Sequence, residues 1–407
     1  MKFEKLTELI DERITGEWGQ EADFSGVNVI RTTNFTNDGK LDLSNVVKRN
    51  IEKKKIEKKS LKKGDIIIEK SGGGPTQPVG RVVYFDVESD GIFLCNNFTT
   101  ILRPKLNLVN SKYLLYQMLY LHKSGRSKRY QNKTTGIHNL NLEKYLQEKI
   151  ALPPLPDQLH IANILSKAEN LIAQRKESIR LLDEFLKSTF FEMFGDPVRN
   201  EKGWVINTLD SVLDGIDNGW SPVCLNKPRN NEFEWAILKL GSVSYRRFNP
   251  DENKLLDQNI KINKELVPKK GDLLFSRKNT YGLVGASAYI FEDYDKLLLP
   301  DTIFKIKYQS DKVSGLFLCF LFNDLKFRNL IQSLASGTAG SMPNISKKKL
   351  SKLKIFLPPI SLQTQFAQIV QRTEALRSQY QQSLQELENL YGSLSQKAFR
   401  GELRVNA

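Results

Sequence analysis

The chain has 407 residues, 40 % of them hydrophobic, and a formal net charge of +15. That length accommodates two or more domains, and the apolar fraction excludes a chain without a folded core. The positive surplus is localised: residues 1–150 carry eight more basic than acidic side chains and residues 201–356 seven more, while 151–200 and 357–407 lie within one charge of neutral. Two matched basic lobes point to two contacts with one polyanion, not to a diffuse basic coat.

Met1-Lys2-Phe3-Glu4 opens without an apolar signal region, and the longest apolar run, Leu316 to Phe322, is too short to cross a bilayer. Cys95, Cys224 and Cys319 are scattered without metal or disulfide spacing. A cytoplasmic protein, with no membrane and no metal of its own, is expected. Along the chain, the Lys-rich stretch Asp42 to Lys63 reads as loop or helix, with either a solvated or a polyanion-facing side. Lys63-Gly64-Asp65 is a turn into the apolar strand Ile66–Ile68, and Lys270-Gly271-Asp272 is a turn into Leu273–Phe275. Ser71-Gly72-Gly73-Gly74-Pro75 reads as a flexible turn between strands. Val79–Phe85, Ile92–Cys95 and Thr302–Ile306 are further strands, and Tyr113–Leu121 and Ser314–Asn323 are buried helices.

Much of this pattern occurs twice. Leu152-Pro153-Pro154 returns 205 residues later as Leu357-Pro358-Pro359, and the same offset matches Asn139 with Asn344, Lys144 with Lys349, Ile150 with Ile355 and Gln158 with Gln363. A repeat this long is a duplicated half-molecule, not a solenoid unit. Each Leu-Pro-Pro opens a long helix. The first runs from Asp157 to the stop Gly195-Asp196-Pro197, about 57 Å at ~1.5 Å per residue. Its heptad positions are Ile161, Leu165, Ala168, Ile172, Arg175, Ile179, Leu182, Leu186, Thr189 and Met193. The offset converts these to Phe366, Val370, Thr373, Arg377, Tyr380, Leu384, Leu387, Tyr391, Leu394 and Ala398. Eight of ten in each copy are apolar or aromatic, which is a coiled-coil seam. An antiparallel pair is expected, because a pseudo-twofold axis across it makes the halves equivalent. In that register Ile161 approaches Ala398, Ile179 approaches Tyr380 and Met193 approaches Phe366.

Catalytic signatures are absent. The sequence has no Gly-x-x-x-x-Gly-Lys-Ser/Thr loop for ATP and no Asn/Asp-Pro-Pro-aromatic tetrapeptide for an amino-methyltransferase. Glu57-Lys58-Lys59 is weak as a nuclease motif, and His122, His138 and His160 read as structural or surface residues. What remains are basic and amide-rich loops. Lys70, Ser71, Arg126, Lys128, Arg129, Tyr130, Gln131, Asn132, Lys133 and Thr134 form one set. Arg277, Lys278, Asn279, Tyr281, Ser341, Asn344, Lys347 and Lys348 form the other. Lys and Arg hold phosphates, while Arg, Gln and Asn reach base edges. A constant frame with divergent loops suits two readers of two different short sequences.

With these features the chain resembles the specificity subunits of type I restriction-modification systems. The resemblance covers the whole chain: two divergent globular domains alternate with two similar helices, each introduced by Leu-Pro-Pro and a Gln. The acid that often precedes this Gln is Asp157 in the first copy, whereas the second copy has Leu362. The resemblance implies an α+β fold of two mixed globular DNA-recognition domains, at 1–151 and 197–356. The spacer helices, at 152–196 and 357–407, would form an antiparallel coiled coil. It implies a non-catalytic chain in which each domain reads one half of a bipartite double-stranded DNA target and the helices set the spacer. Modification subunits would supply S-adenosylmethionine-dependent methylation, and a restriction subunit the ATP- and Mg-dependent translocation and cleavage. The readings from other classes are a solo DNA methyltransferase or nuclease, and a coiled-coil nucleic-acid-binding adaptor.

Overall fold

A two-stranded antiparallel ribbon closes each globular segment on itself, Lys2–Lys5 against Lys149–Leu152 in the first and Val205–Thr208 against Lys354–Leu357 in the second. Each ribbon sets the start of a lobe beside the strand that leads into Leu-Pro-Pro. The computed structural model describes residues 2–22, 25–74, 77–133, 138–257, 262–337, 342–400 and 402. The chain divides into two compact units, Met1–Lys176 with Gln382–Ala407, and Glu177–Gln381. The long helices, Leu155–Phe194 and Ile360–Arg400, each contribute to both units.

In the first unit an antiparallel sheet runs in the order Ile10–Thr15, Thr99–Pro104, Ile66–Glu69, Val82–Tyr84. A second sheet runs Gln20–Glu21, Val47–Asn50, Val27–Ile30, Phe93–Cys95, and its last pair is parallel. Ile66, Ile67 and Ile68 are all buried, so this unbroken apolar run is an inner strand covered on both faces. Gly64 at φ +99° makes the turn before it, and Asp65 Oδ2 accepts the Lys62 amide at 2.7 Å. The helix Ser111–Lys123 is capped by Asn110, whose side chain accepts from the Tyr113 amide, and Tyr113, Leu114 and Met118 are buried in the same core as Ile66 and Val82.

The second unit repeats this order: Leu213–Asn218, Ile303–Tyr308, Leu273–Ser276, Ser287–Tyr289 in one sheet, and Asn253–Leu255, Ala236–Leu238, Leu297–Leu298 in the other. The parallel pair recurs between Ala236–Leu238 and Leu297–Leu298. The turn also recurs, with Gly271 at φ +95° and Asp272 Oδ2 accepting the Lys269 amide at 2.8 Å. The fold is therefore α+β and duplicated.

Within each unit the long helices pair antiparallel. In the first, Tyr391 bonds Glu169 at 2.8 Å and Lys176 pairs with Glu388 at 2.8 Å, while Ile161 and Ala398 are buried in one cluster. In the second, Arg377 pairs with Asp183 at 2.7 Å and its guanidinium donates to the Ile179 carbonyl at 3.3 Å. Phe366 lies 5.5 Å from Phe190 and 5.4 Å from Phe194, both edge-on, and Met193 packs on that cluster. Burying such a ring contributes ~1.5–3 kcal/mol, and each aromatic pair ~0.5–1.5 kcal/mol more. Every heptad position from Ile161 to Met193 and from Phe366 to Ala398 is buried or half-buried.

Three local readings are corrected. Ser71–Gly73 is a strand paired with His138–Leu140, not a loose turn; its glycines serve a φ of +98° at Gly72 and the close packing of Gly73 on Gln77 and Val79. The Lys-rich stretch holds a strand, Val47–Asn50, and a helix, Lys53–Lys59, where Lys55 and Lys59 both engage Glu17. The first long helix begins at Leu155, directly after Leu-Pro-Pro and two residues before Asp157, since Pro156 is tolerated in a first turn, where helical N–H groups lack partners.

The repeated Gln has a structural task. Gln158 is buried, accepts the Asn110 amide at 2.8 Å and donates to the carbonyls of Pro153 (2.8 Å) and Leu108 (3.2 Å). Gln363 accepts the Ser314 amide at 2.9 Å and donates to Pro358 at 2.8 Å. Each ties the N-terminus of a domain helix to the start of a long helix. Gln158→Leu leaves a buried N–H and two carbonyls unpaired. It should lower unfolding free energy by about 2–4 kcal/mol in urea denaturation, and a loss under about 0.5 kcal/mol would refute that task.

Candidate nucleic-acid interface

The structure joins the two loop sets of the first domain into one surface. Gln131–Lys133 pairs with His138–Leu140, which pairs with Ser71–Gly73. Ser71 Oγ donates to Asn139 Oδ1 at 2.5 Å, and the Leu140 amide donates to the Lys70 carbonyl at 2.7 Å. The second unit makes the equivalent join with different chemistry. Asn344 bridges Lys278 and Ser336, its Oδ1 accepts from Arg277 Nε at 3.1 Å, and the Ile345 amide donates to the Arg277 carbonyl at 2.8 Å. Asn139 and Asn344, matched by the repeat, thus hold corresponding loops. A neutral hydroxyl fills the place in one unit and a guanidinium in the other.

The candidate side chains divide by availability. Lys128, Arg129 and Asn132 are exposed, and among the described residues no carboxylate pairs with Lys128 or Arg129. Lys70 is half-buried, and burial pulls its ammonium below the ordinary lysine pKa. Arg126 and Tyr130 are tied to the two oxygens of Glu148, and Gln131 donates to the Val79 carbonyl at 3.1 Å. These three shape the loop. In the second unit Arg277 lies 5.1 Å above the Phe304 ring and Lys347 5.9 Å from it, while Lys348 and Tyr281 are exposed. Asn279 turns inward: it is buried and donates to Ser244 Oγ (2.9 Å) and Ser276 Oγ (3.2 Å). Thr134 and Ser341 lie outside the described residues, as does the Lys133 side chain.

Sequence reasoning missed Phe98, 45 % exposed, whose carbonyl accepts the Lys70 and Ser71 amides at 2.8 and 3.2 Å. The only sequence signal is an aromatic after two asparagines in a turn. It also missed Glu148, which lies 18–22 positions from its partners.

Burial pushes the Cys95 thiol up to about 11 and the Cys319 thiol up to about 12, leaving little nucleophilic thiolate. Burial lowers His122 to about 4, so it offers a phosphate no charge at neutral pH. Among the described residues no group of three or more His, Cys, Asp or Glu could hold a metal ion, and no helix is long and apolar enough to cross a membrane.

The two units are thus copies of one α+β frame, each presenting a different polar loop set. The same fold is seen in the crystal structure of a type I restriction-modification S subunit from M. genitalium, with a TM-score of 0.60 at 14 % identity over 98 % of this chain and 96 % of that one. The family model for the type I restriction modification DNA specificity domain matches residues 7–181 and 216–389. The chain belongs to this family. It is 29 % identical over 161 residues to the type I restriction enzyme EcoEI specificity subunit of Escherichia coli, covering 40 % of this chain and 27 % of that one. It is 26 % identical over 370 residues to the EcoKI specificity subunit of Escherichia coli K12, covering 83 % and 75 %.

Proposed function

We propose that the chain is the non-catalytic specificity subunit of a type I restriction-modification complex. Each recognition domain reads one half of a bipartite duplex DNA target. The observation that carries this reading is the matched loop join, in which the same backbone hydrogen bond and the same Asn recur while the side chains around them differ. Lys128, Arg129, Lys347 and Lys348 hold phosphates, while Asn132, Arg277 and Tyr281 face bases. The helices set the unread spacer and bind modification subunits. In support, Leu171, Phe185 and Leu390 on the long helices are each about half exposed, and Leu376 is 36 % exposed. S-adenosylmethionine belongs to the modification subunits, ATP and Mg to a restriction subunit, and the complex works in the cytoplasm.

The test uses the purified chain. Alone it should bind duplex DNA in preference to RNA at moderate salt and show no methyl transfer or cleavage. With modification subunits and S-adenosylmethionine it should methylate one bipartite sequence. Turnover by the chain alone would instead indicate a solo methyltransferase or nuclease. Equal binding to RNA, without methylation in the assembled mixture, would favour an adaptor.

A further inference from the structure

Each unit contains a carboxylate junction that joins three pieces of chain, and each junction includes one of two glutamates 205 positions apart, Glu169 and Glu374. Glu169, on the first long helix, accepts from Tyr116 Oη of the domain helix at 2.8 Å and from Tyr391 Oη of the second long helix at 2.8 Å. Glu374, on the second long helix, accepts from Arg247 Nη1 of the domain at 2.7 Å and from Arg377 Nε at 3.3 Å. Arg247 and Arg377 both reach Asp183 of the first long helix. In the first unit Glu169 alone fastens the domain to both helices; in the second Glu374 fastens the domain to its own helix and Asp183 completes the junction with the other.

The chemistry of the two fastenings differs. Burial and the Glu169 charge raise the phenol pKa of both Tyr116 and Tyr391, so the first joins a carboxylate to neutral phenols. The second is an ionic network whose Arg247 and Asp183 side chains are about half exposed, and it is open to screening. Both stand close to recognition segments. Tyr116 lies on the helix that ends just before the Arg126–Tyr130 turn. Arg247 follows the short helix Gly241–Ser244, and Ser244 accepts from Asn279 in the loop that carries Tyr281.

We propose that Glu169 in the first unit, and Glu374 with Asp183 in the second, are positioning residues: each junction fixes a recognition segment against the helices of its own unit, and so narrows the spacer lengths the chain accepts. In each unit the junction is made of directed polar contacts between a domain and both long helices, which set an orientation that apolar packing alone leaves adjustable. The inference rests on the reading of each domain as a half-site reader.

The experiment uses the full chain assembled with its modification subunits and a DNA library. In the library the half-sites are fixed and the spacer varies about the native length. Tyr116→Phe and Arg247→Met should each leave both half-sites unchanged and raise methylation at spacers one base pair off, relative to the native spacer, by about tenfold. Raising salt from about 0.05 M to about 0.5 M should broaden the wild-type and Tyr116→Phe distributions. It should leave that of Arg247→Met unchanged, and Arg247→Lys should restore part of the response. Because the readout is a ratio among spacers, the general salt loss of DNA affinity cancels. Unchanged spacer ratios in active variants would overturn the proposal. So would loss of methylation at every spacer in a variant with the wild-type melting temperature. Failure of wild type to methylate any bipartite site would instead reject the half-site reading itself.

Discussion

Replacing residues 1–151 by the equivalent segment of a relative should rewrite one half of the methylated sequence and leave the other half as it was. The expectation follows from the contact pattern. The ribbon Lys2–Lys5 with Lys149–Leu152 closes the first recognition domain before the helix begins, and its loop join draws on Lys70–Gly73, Phe98, Gln131–Lys133 and His138–Leu140, all inside the exchanged segment. The graft must keep a backbone N–H at position 110 for Gln158 and Tyr116 for Glu169. Discrimination against a wrong base is worth ~1–3 kcal/mol per bidentate contact, so several exchanged contacts move the preference by orders of magnitude. Methylation mapping across a genome reads the outcome. A change in both halves, or in neither, would end the two-reader account.

The second large effect concerns the spacer. Adding residues to one helix near Pro154 would pull Gln158 from Asn110 or shift the seam out of register. The structure favours adding seven residues to both helices, after Lys176 and after Gln381, where the compact units meet along the sequence. A heptad preserves the seam phase. It lengthens each helix by about 10 Å, close to three base-pair steps at ~3.4 Å each. The preferred spacer should lengthen by about three base pairs with both half-sites intact. Turning one half-site about the DNA axis costs binding energy, so the position of the preferred spacer is the measure, not the rate. An unchanged spacer in an active variant would show that the helices do not set it.

The seam was legible because heptad spacing is a local, periodic property of the sequence. The antiparallel direction followed from the duplication, and the contacts of Glu169 with Tyr391 and of Asp183 with Arg377 fall on the expected register. The Gln pair was visible as a repeat, but its task was not, because its partners Asn110 and Ser314 lie 48 and 49 positions away. The candidate site was less legible. Arg126 and Tyr130 have the composition of DNA ligands, yet Glu148 engages both, and nothing local in the sequence links these residues. Asn279 has the right chemistry and the wrong direction. Exposure and side-chain pairing depend on tertiary neighbours, which composition does not encode.

The division of the helices between the units also bears on how the chain comes off the ribosome. The second unit is one continuous stretch, Glu177–Gln381, and it holds all its parts once that stretch has emerged. The first is built from two separated stretches: Phe399 lies edge-on to Tyr113 at 6.2 Å and tilted against Tyr120 at 5.3 Å, and Ala398 is buried with Ile161 and Leu165. The unit begun before Glu177 is thus completed only after the second has emerged, reversing the usual N-terminal-first order. Until the stretch beyond Gln381 emerges, the apolar stripe of Ile161, Leu165 and Ala168 has no partner helix. A nascent chain stalled after Gln381 presents that stripe to chaperones, or to another chain stalled at the same point.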